Sequence, residues 1–132
     1  MPTLFSKLNL KDQREILVLE APASLDPELK GLRDVNILRD LKSTREVSFA
    51  LVFVQRQAEL DRLSAAIAKR AGGDAVLWFA YPKGTSKKLT CEFNRDKGWD
   101  VLREAGFDTV RQVSIDEDWS ALRFRRIEFI KR

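Results

Sequence analysis

The chain has 132 residues, 44% of them apolar, with a formal net charge of +4, a single cysteine and no histidine. This predicts one domain with a sizeable core; it excludes an internal disulfide, histidine-activated nucleophiles and histidine metal sites. Acidic residues are interspersed among the lysines and arginines, so the charge reads as a mixed solvated surface, not the clustered footprint of a nucleic-acid binder.

No apolar run reaches the length of a membrane span, and MPTLFSKLNLKDQREI has no apolar core or cleavage site of a signal peptide. The expectation is a soluble, cytoplasmic protein with no membrane or nucleic-acid partner. The first dozen residues are polar with scattered leucines and predict an arm or short turn. REILVLEAP then supplies a continuous apolar run ended by proline, the pattern of a strand buried on both faces. SLDPELKGL predicts a short helix with Ser24 or Asp26 as N-cap, Pro27 in its first turn and Gly31 closing it.

DVNILRDL suggests a second strand, and EVSFALVFVQ is the clearest strand in the chain, dense in β-branched and aromatic residues. RQAELDRLSAAIAKRAGG places Leu60, Leu63, Ala66, Ile67 and Ala71 at helical spacing and ends in basic residues and two glycines, as a helix C-terminus does. DAVLWFAYP is another apolar strand. FNRDKGWDVLREAG predicts a helix from Asn94 to Gly106, with Gly98 inside it at a cost of about 1 kcal/mol.

The end predicts an antiparallel hairpin. Val110, Val113 and Ile115 lie on one strand, DEDWS forms the turn, and Leu122, Phe124, Ile127, Phe129 and Ile130 lie on the other. The order of elements implies an α/β fold: a three-layer Rossmann-like sandwich around a mostly parallel sheet of about six strands, closed by an antiparallel C-terminal strand.

Three candidate motifs emerge. YPKGTSKK leaves a strand at its carboxyl end, where open α/β sheets bind ligands. Gly84 allows the backbone a positive φ, Thr85 and Ser86 offer hydroxyls and amides, and Lys83, Lys87 and Lys88 add positive charge. The spacing is not that of a P-loop, and exposed lysines titrating near 10 are poor bases, which leaves an anion contact or a solvated turn. NRDKGW could bring Arg95 and Lys97 beside that loop; alternatively Asn94 caps a helix and Trp99 packs inward. In DEDWSALRFRR the run Asp116, Glu117 and Asp118 need not converge on a metal, Arg123, Arg125 and Arg126 can pair with it, and Trp119 and Phe124 suit the core. Cys91, in KLTCEF, reads as an inert, half-buried thiol. Neither a metal nor a cofactor is expected.

From REVSFALVFVQRQAELDRLSAAIAKRAGGDAVLWFAY through LREAGFDTVRQVSI and WSALRFRR, the chain resembles the later half of the class I methyltransferase fold. The segments LWFAYPKGTSK, NRDKGW and DEDWSALRFRR resemble a small bacterial family, a domain of unknown function, and that likeness implies no activity. Methyltransferases carry a glycine-rich cofactor loop after their first strand. Here EAPASLDP has no glycine and two prolines, while Asp40 stands where the resemblance implies an acidic residue for ribose hydroxyls. The main expectation is therefore a non-catalytic module binding a small anion or nucleotide through Lys83, Gly84, Thr85, Ser86, Lys87 and Arg95. One alternative is a divergent methyltransferase-like enzyme using Glu20, Asp40 and Tyr81 around the crevice. The other is an interaction module, a homodimer included, working through an edge strand and the C-terminal arginines.

Overall fold

A computed structural model describes residues 3–130 of the chain. Its frame is a six-stranded sheet in the order β2-β1-β3-β4-β6-β5. The strands are β1 (Glu15–Leu19), β2 (Asn36–Leu38), β3 (Val47–Phe53), β4 (Ala71–Pro82), β5 (Phe107–Ser114) and β6 (Trp119–Arg126). β2, β1, β3 and β4 run parallel; β6 is antiparallel to both β4 and β5. The predicted α/β sandwich with its closing antiparallel strand is therefore the fold observed.

Alternation along the strands divides the core into two layers. Leu17, Leu19, Ala50, Val52, Leu77, Phe79, Leu122 and Phe124 face α3 (Gln57–Arg70) and α4 (Asp100–Glu104), meeting Leu60, Leu63, Ile67 and Leu102. Ile16, Val18, Phe49, Leu51, Phe53, Val76, Trp78 and Ala80 face the other way, onto Leu4, Phe5 and Leu8 of α1 (Leu4–Lys7) and its C-cap, and onto Leu25 and Leu29 of the α2 (Asp26–Lys30) region. Continuous apolar strands were the signal for this arrangement, because both faces of the central strands need cover.

Several local expectations are corrected. Of the two readings of the N-terminal segment, the short turn holds and the arm does not: Thr3 Oγ1 accepts from Ser6 N at 3.2 Å, and the turn buries Leu4 and Phe5. Neither Ser24 nor Asp26 caps α2 with its side chain; a 3-10 turn at Ala23–Leu25 leads straight into the helix, with Pro27 in its first turn as expected. Gly72 and Gly73 belong to the start of β4 and do not close α3. The helix expected from Asn94 begins only at Asp100. Asn94 Oδ1 instead accepts from Asp96 N at 2.8 Å and Lys97 N at 3.0 Å, forming a side-chain-closed turn. Gly98 sits in the following loop at φ +109°, a conformation that favours glycine, and bears no helix cost there. β6 stops at Arg126, so Ile127 and Phe129 lie exposed on a 3-10 turn rather than on the strand.

The arginines of the hairpin also pair elsewhere than expected. Arg125 makes a two-pronged contact with Asp74, at 2.8 and 2.6 Å, and Arg126 donates to the carbonyl of Ala71 at 2.7 Å. Asp116 closes its own turn by accepting from Asp118 N and Trp119 N.

One feature of the connections shapes the surface. β2 and β3 flank β1 and are parallel, yet the chain between them contains no helix. Residues 39–46 cross on the α3 side, where Leu41 packs against the core and Arg70 Nε holds the Thr44 carbonyl at 3.1 Å. This short crossover, folded into a turn at Leu41–Thr44, borders an open groove at the ends of β1 and β2.

Candidate functional site

The parallel strands β1 to β4 end on one edge of the sheet, and two open depressions lie along it. The first, about 390 Å³, is lined by Leu19, Glu20, Arg39, Asp40, Leu41, Lys42, Arg62 and Leu63. Glu20 follows β1 directly and Asp40 lies two residues beyond β2, the neighbouring strand, so the sheet itself brings these carboxylates to one groove. Leu19 and Leu63 are buried and give it an apolar floor.

Glu20 has φ +58°, the left-handed region that glycine ordinarily occupies. The chain therefore turns sharply at the end of β1 without glycine. Asp40 Oδ1 accepts from Ser43 N at 2.8 Å and Ser43 Oγ at 2.9 Å. Those bonds from Ser43 hold its carboxyl below the usual carboxylate range, so it is anionic at neutral pH. Pro22 does not fill this groove; it lines a separate, smaller cavity of about 150 Å³ with Leu4, Leu25 and Phe53. Arg39, Lys42 and Arg62 are groove residues that the sequence did not single out. Only the crossover and the packing of α3 bring them together.

The second depression lies at the end of β4 and has two lobes. One, about 410 Å³, is lined by Tyr81, Lys83, Gly84, Thr85, Asn94, Arg95, Gln112 and Ser120; the other, about 360 Å³, includes Ser86, Leu89, Cys91 and Phe93. The YPKGTSKK loop and Arg95 thus share a groove, although Arg95 is carried there by the Asn94 turn and not by a helix start. Lys87 is exposed and lines neither lobe, and Gly84 does not adopt the positive φ expected of it. Tyr81 belongs to this groove and not to the one holding Glu20 and Asp40, which separates residues that the sequence grouped in one crevice.

The loop is held by its own side chains. Ser86 Oγ donates to Asp118 Oδ1 at 2.8 Å and accepts from Leu89 N at 3.1 Å, so its hydroxyl secures the turn. Lys83 N donates to the Asp118 carbonyl at 2.8 Å, and Lys83 Nζ to Ser114 Oγ at 2.6 Å. Gln112 Nε2 donates to Tyr81 Oη at 3.0 Å and to Ser120 Oγ at 2.9 Å. Burial pushes the Tyr81 hydroxyl above its ordinary pKa, so at neutral pH it is a phenol that can donate a hydrogen bond and is no base. Burial likewise pushes the Cys91 thiol up, in keeping with an inert half-buried cysteine.

No family model and no curated protein matches the chain. Solved structures do. A SAM-dependent methyltransferase from Aquifex aeolicus superposes with a TM-score of 0.62 at 15% identity, over 94% of this chain and 88% of that one. The mitomycin 7-O-methyltransferase MmcR gives 0.62 at 13% identity, over 91% and 52%. A Haemonchus contortus N-methyltransferase in complex with phosphomonomethylethanolamine and S-adenosylhomocysteine gives 0.58 at 12%, over 96% and 38%. The chain has the class I SAM-dependent methyltransferase fold. It spans about half the length of the mitomycin enzyme and less of the Haemonchus one.

These likenesses reverse the order of the functional readings. The expectation of a non-catalytic binding or regulatory module, with catalysis uncertain and the less favoured, is corrected by these likenesses, since the similar structures are methyltransferases. The likeness to a small bacterial family has no matching family model behind it. Among the described residues no helix is long and apolar enough to cross a membrane.

Proposed function

We propose that the protein is a divergent methyltransferase-like enzyme whose groove at the ends of β1 and β2 takes S-adenosylmethionine. The observation that carries this reading is that the space beyond the first strand is open, with Glu20 and Asp40 at its lip and Pro22 directed elsewhere.

The residues present fit such a ligand chemically. A ribose diol donates to carboxylates, and Asp40, anionic and braced by Ser43, presents one beyond β2. Glu20 offers a second carboxylate, suited to a hydroxyl or a sulfonium cation. Leu19, Leu41 and Leu63 offer apolar contact to a base, and Arg39, Lys42 or Arg62 a partner for a carboxylate. When bound, S-adenosylmethionine supplies an electrophilic methyl group. The left-handed turn at Glu20 stands in for the glycine turn of the methyltransferases that the sequence resembles.

Isothermal titration with S-adenosylhomocysteine tests the reading. The expected result is saturable binding that Asp40→Ala weakens tenfold or more. Absence of binding and of thermal stabilisation at millimolar ligand would sink the proposal.

A further inference from the structure

We infer that the groove at the end of β4 binds a small organic anion, its carboxylate or phosphate lying between Lys83 and Arg95. That this anion is the methyl acceptor rests on the transferase reading above; the binding itself does not.

Three observations converge. The residues lining the lobe that holds Lys83 and Arg95 include these two cations and no carboxylate. Neither cation takes part in an ion pair among the described residues. Lys83 instead rests against the neutral Ser114 hydroxyl at 2.6 Å, which orients the ammonium without neutralising it. Asp96, whose charge is felt at the Tyr81 hydroxyl, does not line the lobe. An anion entering here meets two cations that no ion pair holds, a setting for charge-assisted hydrogen bonds.

The second observation concerns the back wall. Gln112 donates to both Tyr81 and Ser120, so each hydroxyl oxygen already accepts a bond while retaining its own proton. If one hydroxyl donates to the other, one proton is still left over within this cluster. Because burial keeps Tyr81 protonated, the wall offers a neutral donor at neutral pH. It suits a polar atom on the body of the ligand.

The third is position. This groove and the one at Glu20 and Asp40 lie on the same carboxyl edge, on either side of β3. The two differ in charge: one carries carboxylates among its cations, the other none. Two grooves of different chemistry beside one strand end suit an enzyme that must hold two different molecules.

The test is an amide NMR titration of the full chain with inorganic phosphate and, separately, with acetate, at constant ionic strength held by chloride. The expected result is saturable movement of Lys83, Gly84, Thr85 and Arg95, with affinity reduced tenfold or more in Lys83→Gln/Arg95→Gln. Both side chains extend from the surface loop, and an unchanged spectrum elsewhere certifies that the variant folds. A response to phosphate alone assigns a phosphate ester, and an equal or stronger response to acetate assigns a carboxylate. No movement, movement spread over lysines and arginines across the surface, or an undiminished response in the double variant overturns the inference. S-adenosylhomocysteine is then added to the same sample and followed at Glu20 and Asp40. If that ligand fails while the anion binds, the acceptor role falls with the transferase reading and the anion site stands.

Discussion

Trp78 Nε1 donates to the carbonyl of Leu8 at 2.7 Å, joining the middle of the sheet to the N-terminal turn across 70 positions of sequence. Trp78 is fully buried in β4. The bond satisfies a carbonyl in a setting where water cannot, and it orients the turn that places Leu4, Phe5 and Leu8 over Phe49 and Ile16.

Trp78→Phe keeps most of the apolar contact but strands that carbonyl and leaves a small void. A loss of about 2–3 kcal/mol is expected in urea unfolding. A loss below about 0.5 kcal/mol would show that the N-terminal turn docks by apolar contact alone.

Glu20 at φ +58° separates stability from ligand binding. Glycine adopts this conformation freely, so Glu20→Gly should leave the protein as stable as the parent or up to about 1 kcal/mol more so. The same change removes a groove carboxylate and should weaken S-adenosylhomocysteine. Thermal melting and calorimetry on one preparation check both halves; a destabilised variant would mean that the Glu20 side chain holds the turn.

Arg123 illustrates a cost left in the fold. Its Nε is buried without a hydrogen-bond partner, and burial together with neighbouring Arg125 lowers the pKa of its guanidinium. Arg111 stands directly across the hairpin, adding a like charge. Arg123→Met retains the stem's packing and removes the unpaired group, so stability should rise by about 1 kcal/mol. A marked loss would point to a contact made by its terminal nitrogens.

Asp74 sets an acid limb. Its two-pronged contact with Arg125 holds its carboxyl below the ordinary value of 3.8. A depressed folded pKa stabilises the protein above the unfolded pKa, and that contribution fades as pH falls through the folded value. Asp74→Asn should therefore cost about 0.2–1 kcal/mol at pH 7, in the range of a partly exposed pair, and nothing once both values are passed. Melting curves of parent and variant should converge from about pH 4 downward; a constant gap would assign the effect to packing.

How much of this was legible in the sequence follows from the range of the forces involved. Runs such as ILVL and FALVFV read as strands covered on both faces, because they are short, rich in β-branched or aromatic residues, and ILVL is followed closely by proline. The closing hairpin was equally plain from its turn and flanking apolar residues. FNRDKG misled because its asparagine suits two structures, a helix cap or a side-chain-closed turn. The choice fell to long-range contacts: Gln57 Nε2 donates to the Gly98 carbonyl at 2.8 Å, and Gly98 takes a positive φ.

At the candidate sites the same division holds. Position in a strand–turn pattern was enough to mark Lys83 through Ser86 as candidates, since a strand's carboxyl end is readable locally, whereas Asp40 was marked by the methyltransferase resemblance. It could not separate Tyr81 from Glu20 and Asp40, nor recruit Arg62, Gln112 and Ser120, because strand order and the crossover at residues 39–46 decide those neighbours. By itself the sequence determined which segments must be buried, and hence the layered α/β fold. Which charges share a groove was decided only in the tertiary structure, where side chains distant along the chain meet at one edge and the unfilled space over β1 and β2 remains.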